Sequence, residues 1–229
     1  MPDPAPGTLG YMKARIAREL ARTNLTDQIA DAINDAISAY ADERFRFSDI
    51  NPAAPPTFNT VVGQYIYGSA ANANISTAYN IDYVNINIGA ATVQYLNRRT
   101  PEDIKLYLQV NTMRGVPSDF AYEGNSLLLA PSPAAVYLVT LGLFLNVPAP
   151  ASDDEVGNPW MTVAERLIRS RAKFEIATHV TRNPVMARAM SPEAPNDGQA
   201  AGAAYAAWVD LKGQGNRITG RGRVSAMQF

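Results

Sequence analysis

The sequence predicts an α+β fold: a helical bundle built from the N- and C-terminal segments, an antiparallel β region inserted between them, and an extended C-terminal arm. Three observations predict it. Apolar residues recur at helical spacing near both ends, at Met12, Ile16 and Leu20 and again from Trp160 to Val180. Between these stretches the pattern becomes alternation, as in Val84, Ile86 and Ile88 against Asn85 and Asn87. The last stretch, Lys212 to Phe229, carries four basic residues, four glycines and no acid, which is too glycine-rich to fold alone.

The elements follow in order. Thr8 to Arg22 reads as a helix with Met12, Ile16 and Leu20 on one face and Lys13, Arg15, Arg18 and Glu19 around them. Asn24-Leu25-Thr26 breaks it, and Thr26 is placed to cap a second helix whose stripe is Ile29, Ile33, Ile37 and Tyr40. Prolines between Asn51 and Pro56 exclude further helix. Phe58 to Val62 and Tyr65 to Tyr67, with Gly63-Gln64 between them, suggest a hairpin, and Ser69 to Tyr79 reads as a loop. The alternating run at Val84 to Ile88 is answered by Val93 to Leu96.

Thr100-Pro101-Glu102-Asp103 opens a helix, with Thr100 as cap, Pro101 at the first position and Asp103 completing a capping box. That helix is expected to stop at Gly115, before Pro117. Phe120 to Tyr122 and Leu127 to Leu129 read as strands joined by Gly124-Asn125, and Val136 to Leu145 as a long buried strand. Asn158-Pro159 opens the longest expected helix, with Trp160, Ala164, Ile168, Ala172, Ile176 and Val180 on one stripe. Asn183-Pro184 ends it and can begin the next, Val185 to Met190 is helical in pattern, and Gln199 to Leu211 forms an alanine-rich helix.

The flanking helices have apolar stripes but no local partner. The simplest remedy packs the first pair on the last helices. The expected organisation is therefore a discontinuous helical bundle over 1–46 and 150–213, an inserted β region with one helix over 47–149, and an arm over 214–229.

Composition excludes several classes. Hydrophobic residues make up 47% and charged residues 18%, enough to bury a core. The net charge of −1 is not that of a dedicated nucleic-acid binder. The absence of cysteine removes disulfides, thiolate nucleophiles and Cys metal sites. The proline-rich start does not read as a signal peptide, and the apolar stretch from Ala134 to Val147 is too short to span a bilayer as a helix.

Candidate chemistry is sparse. The one histidine, His179, lies in the expected long helix beside Ile176 and Val180 and reads as a structural residue near an interhelical contact, because no positioned partner for a general base is visible. Asp153-Asp154-Glu155 lacks the alternating oxygen ligands of a calcium loop and reads as acid favoured before a helix start. Gly213-Gln214-Gly215 lacks phosphate-loop spacing, and no serine sits in a nucleophile elbow. The sequence thus points to no enzyme, no catalytic residue, no metal and no cofactor.

Surface candidates remain. Tyr65, Tyr67, Tyr79, Tyr83 and Tyr95 cluster in the β region and suit core, intersubunit contacts or a sugar-binding face. Arg98-Arg99 reads as a surface ion pair or a contact to a neighbouring subunit. In the last stretch, Arg217, Arg221 and Arg223 alternate with small residues, and Ile218, Val224, Met227 and Phe229 are apolar. A disordered end, a DNA contact through phosphates and an arm that orders on a partner are the competing readings.

Segments over most of the chain carry a family resemblance. Met12 to Leu20 followed by Leu25 to Ile33 is similar to the N-terminal helix pair of the tailed-bacteriophage head-to-tail adaptors, or head–tail connectors. Thr57 to Gln64 resembles their first hairpin, and Leu127 to Pro133 a strand and turn of their β region. Ser152-Asp153-Asp154 upstream of Trp160, then Leu167 to Lys173, resembles their long helix, and the basic tail ending in an aromatic residue is also similar. Ser191 to Gly198 departs from the family pattern of a continuous helix.

The resemblance implies a structural ring subunit of the virion, assembled in the host cytoplasm. The implied ring is a homo-oligomer, typically a dodecamer. It would dock on the portal protein, meet tail or nozzle proteins on the other side, and let double-stranded DNA pass without sequence reading. No membrane is implied. It also assigns the portal-docking arm to Arg217, Ile218, Arg221, Arg223, Val224, Met227 and Phe229. Tyr65, Tyr67, Arg98 and Arg99 are candidate intersubunit or tail contacts. The alternative is a tail-associated carbohydrate-binding module that uses the Tyr-rich sheet.

Overall fold

A computed structural model of the chain describes residues 4–49, 54–89, 92–196 and 199–218, with side chains as far as Gln214. Its first half contains α1 (Leu9–Leu20), α2 (Thr26–Ser38), β1 (Thr57–Asn59), β2 (Ile66–Tyr67), α3 (Ala73–Thr77), β3 (Ala78–Gly89), β4 (Thr92–Tyr95), β5 (Asn97–Arg98) and α4 (Pro101–Val110). There follow β6 (Asp119–Glu123), β7 (Ser126–Ala130), β8 (Leu138–Leu145), α5 (Pro159–Thr162), α6 (Glu165–Glu175), α7 (Pro184–Met190) and α8 (Ala203–Ile218). The chain is α+β. It divides into two compact units, residues 1–47 with 147–229, and residues 48–146.

In the helical unit, α1 begins where Thr8 Oγ1 accepts the Tyr11 N–H at 3.2 Å. It ends at Ala21, whose left-handed backbone (φ 51°) turns its N–H back to the carbonyls of Ala17 and Arg18. Thr26, expected as a cap, is instead the first helical residue of α2, and Leu25 precedes it without a side-chain bond. Ile29, Ile33, Ala36 and Ile37 are buried on α2 in the same core as Leu167, Ile168 and Ala172 of α6. The core closes over Trp160. Its indole N–H donates to the Val147 carbonyl at 2.9 Å, and Phe45 and Phe47 meet its ring edge-on at 5.9 and 5.0 Å.

The stripe from Trp160 to Ile176 is buried, but it does not lie on one helix. Asn158 Oδ1 caps α5 through the Trp160 N–H, the Ala164 N–H closes back on the Pro159 carbonyl, and α6 starts at Glu165. Ile176–Val180 then winds as a π-helix. A π-turn adds a residue per turn, so the spacing of four loses register. Val180, the last expected member of the stripe, is exposed for that reason. The terminal helix was expected over Gln199 to Leu211, but α8 runs through Gly213 to Ile218. A tether sits just before the glycines. Lys212 Nζ lies 2.5 Å from Glu43 Oε2, donates to the Arg44 carbonyl at 2.8 Å, and sits over the rings of Phe45 and Trp208. A helix fixed there adds one backbone bond per further residue, which offsets the cost of glycine.

The β unit is two four-stranded sheets, ordered β1-β8-β3-β4 and β2-β7-β6-β5. They share a core that includes Phe58, Tyr67, Ile81, Ile86, Phe120, Leu127, Leu129 and Leu141. Strand β7 is apolar at every inner position because both its faces are covered. Leu127 and Leu129 enter the core between the sheets, while Leu128 and Ala130 pack with Ile104 of α4. Gly124 and Asn125, both with positive φ, make the expected tight turn between β6 and β7.

The hairpin expected at Phe58 to Tyr67 does not form. Strand β1 pairs with β8 and β2 pairs with β7, so the chain crosses from one sheet to the other at Gly63 (φ 79°). The crossing brings Phe58 and Tyr67 together in the core, with rings 4.9 Å apart. The expected loop at Ser69 to Tyr79 contains α3, capped by Asn72 and holding Ile75 fully buried. Helix α4 is capped by Thr100, as its sequence predicts. It stops at Val110, short of Gly115, because Gly115 is committed to backbone bonds with Ser132 and Ala134.

Candidate functional site

Five of the seven arm residues, Arg221, Arg223, Val224, Met227 and Phe229, lie outside the described residues. Arg217 and Ile218 fall in the last turn of α8, so residues 214–218 of the expected arm are helical. Before these two residues, α8 is tied to the body at Lys212 by an ion pair, a carbonyl and two rings. No motif marked that tie. Its only sequence signal is a lysine four residues after Trp208.

The candidate contact residues separate. Tyr65 is partly exposed. Tyr67 is 1% exposed, and its hydroxyl donates to the Gln64 carbonyl at 2.7 Å. Burial pushes its pKa up. Tyr67 is thus a core residue and offers no outer surface, which corrects its expected part in a contact. Arg98, on β5, donates to the Ile81 carbonyl and to Asn80 Oδ1 on β3, and so ties the two sheets together. Arg99 pairs with Asp119 at 3.0 Å, but both side chains remain solvent-accessible, and such pairs are worth little.

The tyrosines do not form one face. Tyr65 and Tyr67 belong to the region of β2, whereas Tyr79 and Tyr83 lie on β3 and Tyr95 on β4. Tyr83 and Tyr95 stand with ring centroids 6.0 Å apart. The ring of Tyr83 lies against Gly142, where a Cβ would stand 2.0 Å from it.

The acidic segment is structural in part. Asp153 pairs with Lys13 at 2.7 Å, and its carbonyl accepts the Gly10 N–H at 3.0 Å. Glu155 accepts from the Ala151 N–H and from Asn158, and these bonds hold its carboxyl below the usual range. Among the described residues no group of three His, Cys, Asp or Glu is placed to hold a metal ion. His179, expected near an interhelical contact, is instead 71% exposed in the π-helix, 3.4 Å from Glu175 Oε2.

Sequence reasoning missed the ionic seam between α1 and α6. Glu19 meets Arg15 at 3.1 Å, Lys173 at 2.9 Å, and Arg169; Glu165 meets Arg15 at 3.2 Å. Arg169 Nε lies 3.0 Å from Glu165 Oε1 but out of line for a hydrogen bond. The pairs at spacing four were legible; the crossing between helices was not. At Glu19 burial raises the pKa, but the hydrogen bond and charge of Lys173, the charge of Arg169 and the bond from Arg15 outweigh it. Its carboxyl therefore titrates below the ordinary 4.5.

A lowered folded pKa adds stability that is present above the unfolded value and is lost as pH falls through the folded one. Glu19→Gln is expected to lose about 1 kcal/mol near pH 7, after discounting for partial exposure and screening. The difference from the parent should vanish below the ordinary carboxylate range. Denaturant melts at several pH values check this, and a constant difference down to acid pH would remove Glu19 from the account.

No helix among the described residues is long and apolar enough to cross a membrane. Compared with known protein families, the chain matches the model described as SU10 adaptor protein over residues 8–225. No curated protein matches it.

Proposed function

Because the chain belongs to the SU10 adaptor protein family, the structural adaptors of the bacteriophage head-to-tail junction, we propose that it is a subunit of the ring that docks on the portal and joins it to the tail. The family is not an enzyme class, and it implies a place in the virion. The observation that carries the reading is the extent of the match, which takes in both compact units and most of the C-terminal arm.

In this reading the mechanism is geometric. Copies associate head to tail about a closed rotation, twelve by analogy with the family, so each offers two different surfaces to its neighbours. The β unit lies toward neighbours or tail proteins, and Tyr65, Arg98 and Arg99 remain its candidate contacts. The arm, from Arg217 and Ile218 through Arg221, Arg223, Val224 and Met227 to Phe229, orders on the portal and latches there. Double-stranded DNA passes along the axis. The overall charge of −1 suits passage without grip, because grip comes from cations that neutralise phosphates. Assembly takes place in the host cytoplasm.

Light scattering after size-exclusion chromatography tests the reading. The chain mixed with its portal is expected to elute as one species whose added mass is a whole ring of copies. Two free components at micromolar concentration would overturn it. So would saturable glycan binding through Tyr83 and Tyr95 in a chain that ignores the portal, which would point to the carbohydrate-binding alternative.

A further inference from the structure

One end of the β unit gathers exposed aliphatic side chains. The strand register aligns Asn59, Leu138, Asn87 and Val93 in one row across the first sheet. Beyond that row, Val61 and Val62 follow β1, and Val136 precedes β8. Val61, Val62, Val93, Val136, Leu138 and Met113 are between 43 and 80% exposed. Three segments among the described residues meet at this end, and backbone bonds strap them together. Thr60 N–H donates to Tyr137, Gly63 N–H to Pro133, and Gly115 N–H to Ser132, all at 2.9 Å. The guanidinium of Arg114 rests on Gly63, close enough that a Cβ there would stand 2.9 Å from it. Residues 57–64, 113–118 and 131–138 contain no acid, and Arg114 is their one charge.

A held arginine inside an apolar, charge-depleted and preorganised surface has the composition of the core of a protein interface. Its partner must bring apolar side chains and a carboxylate. The chain itself carries that complement in its helical unit. Val156 is 74% exposed, and Asp154, two residues before it, is exposed and forms no ion pair among the described residues. The positions around Asp154 are held by the bonds of Asp153 and Glu155. A ring needs two unlike, complementary surfaces on every copy.

Resting on the ring reading, we infer that the aliphatic end of the β unit is covered by a second copy of this chain, with the neighbour's Asp154 and Val156 set against Arg114 and the aliphatic residues around it. The end then supplies one half of the repeating contact, and the acidic loop supplies the other.

Charge swapping on the full chain tests this. The readout is the adaptor concentration that half-saturates the portal with copies. Arg114→Glu and Asp154→Arg are each expected to raise it about tenfold, the effect of opposing like charges at an interface. The double variant should return to near the parent value. Val136→Asp should raise the concentration without rescue by either charge change. All these positions are exposed, so unchanged thermal melts are expected, and Val136→Ser serves if the aspartate disturbs the fold. Single variants that saturate the portal like the parent overturn the inference, as does a double variant no better than the singles. Variants that complete the ring but lose a tail protein overturn it as well, and assign the face to that partner. A parent chain that never collects on the portal refutes the ring reading instead, which separates the two failures.

Discussion

Deletion of residues 219–229 is expected to abolish capture by the portal while leaving the melting of the chain unchanged. The removed stretch contains Arg221, Arg223, Val224, Met227 and Phe229 and no acid. Three apolar anchors, each worth about 1.5–3 kcal/mol when fully buried, outweigh the cost of ordering a short arm. Their combined loss corresponds to a fall in affinity of more than about a hundredfold. The cut leaves α8 whole, and with it the contacts of Lys212 with Glu43, Arg44 and Phe45. Portal pull-down with the truncated chain, alongside its thermal melt, is the measurement. Binding that survives the truncation would mean the arm is not the latch. The salt dependence adds a second reading. If the arginines dominate, capture by the intact arm weakens steeply with ionic strength; if the apolar anchors dominate, it changes little.

Trp160→Ala is expected to destabilise the helical unit by about 3–5 kcal/mol, a large part of a typical total of about 5–15 kcal/mol. The ring is 2% exposed and packed by Phe45 and Phe47, so its removal leaves a cavity that these aromatics cannot close without losing their own contacts. The Val147 carbonyl also loses the indole donor. Trp160→Phe keeps most of the volume and loses the donor, and is expected to cost about 1–2 kcal/mol. Urea unfolding followed by circular dichroism compares the three chains. An alanine variant within 1 kcal/mol of the parent would show that this aromatic cluster does not hold the core.

The α+β class and the elements rich in local signal were legible in the chain. Thr8, Thr100, Asn158 and Asn183 each precede a helix that their side chains cap, because a cap bond reaches only two or three residues along the chain. The alternation at Val84 to Ile88 and the turn at Gly124-Asn125 marked β3 and the β6–β7 pair for the same local reason. The candidate site was less legible. Tyr65 and Tyr67 look alike in sequence, yet one is partly exposed and the other is core, since the crossing at Gly63 between two sheets is not a local property.

What the sequence by itself determined is therefore which segments are helical or extended and which side of each is apolar, because both follow from the period of the chain. The tertiary structure alone decided the partners. It paired β1 with β8 instead of β2, set Glu19 against Arg169 and Lys173, and tied Lys212 to Glu43 so that α8 runs through its glycines. Such pairings join residues far apart in the chain. Many surfaces of similar pattern compete for them, and only the packing of the whole core chooses among them.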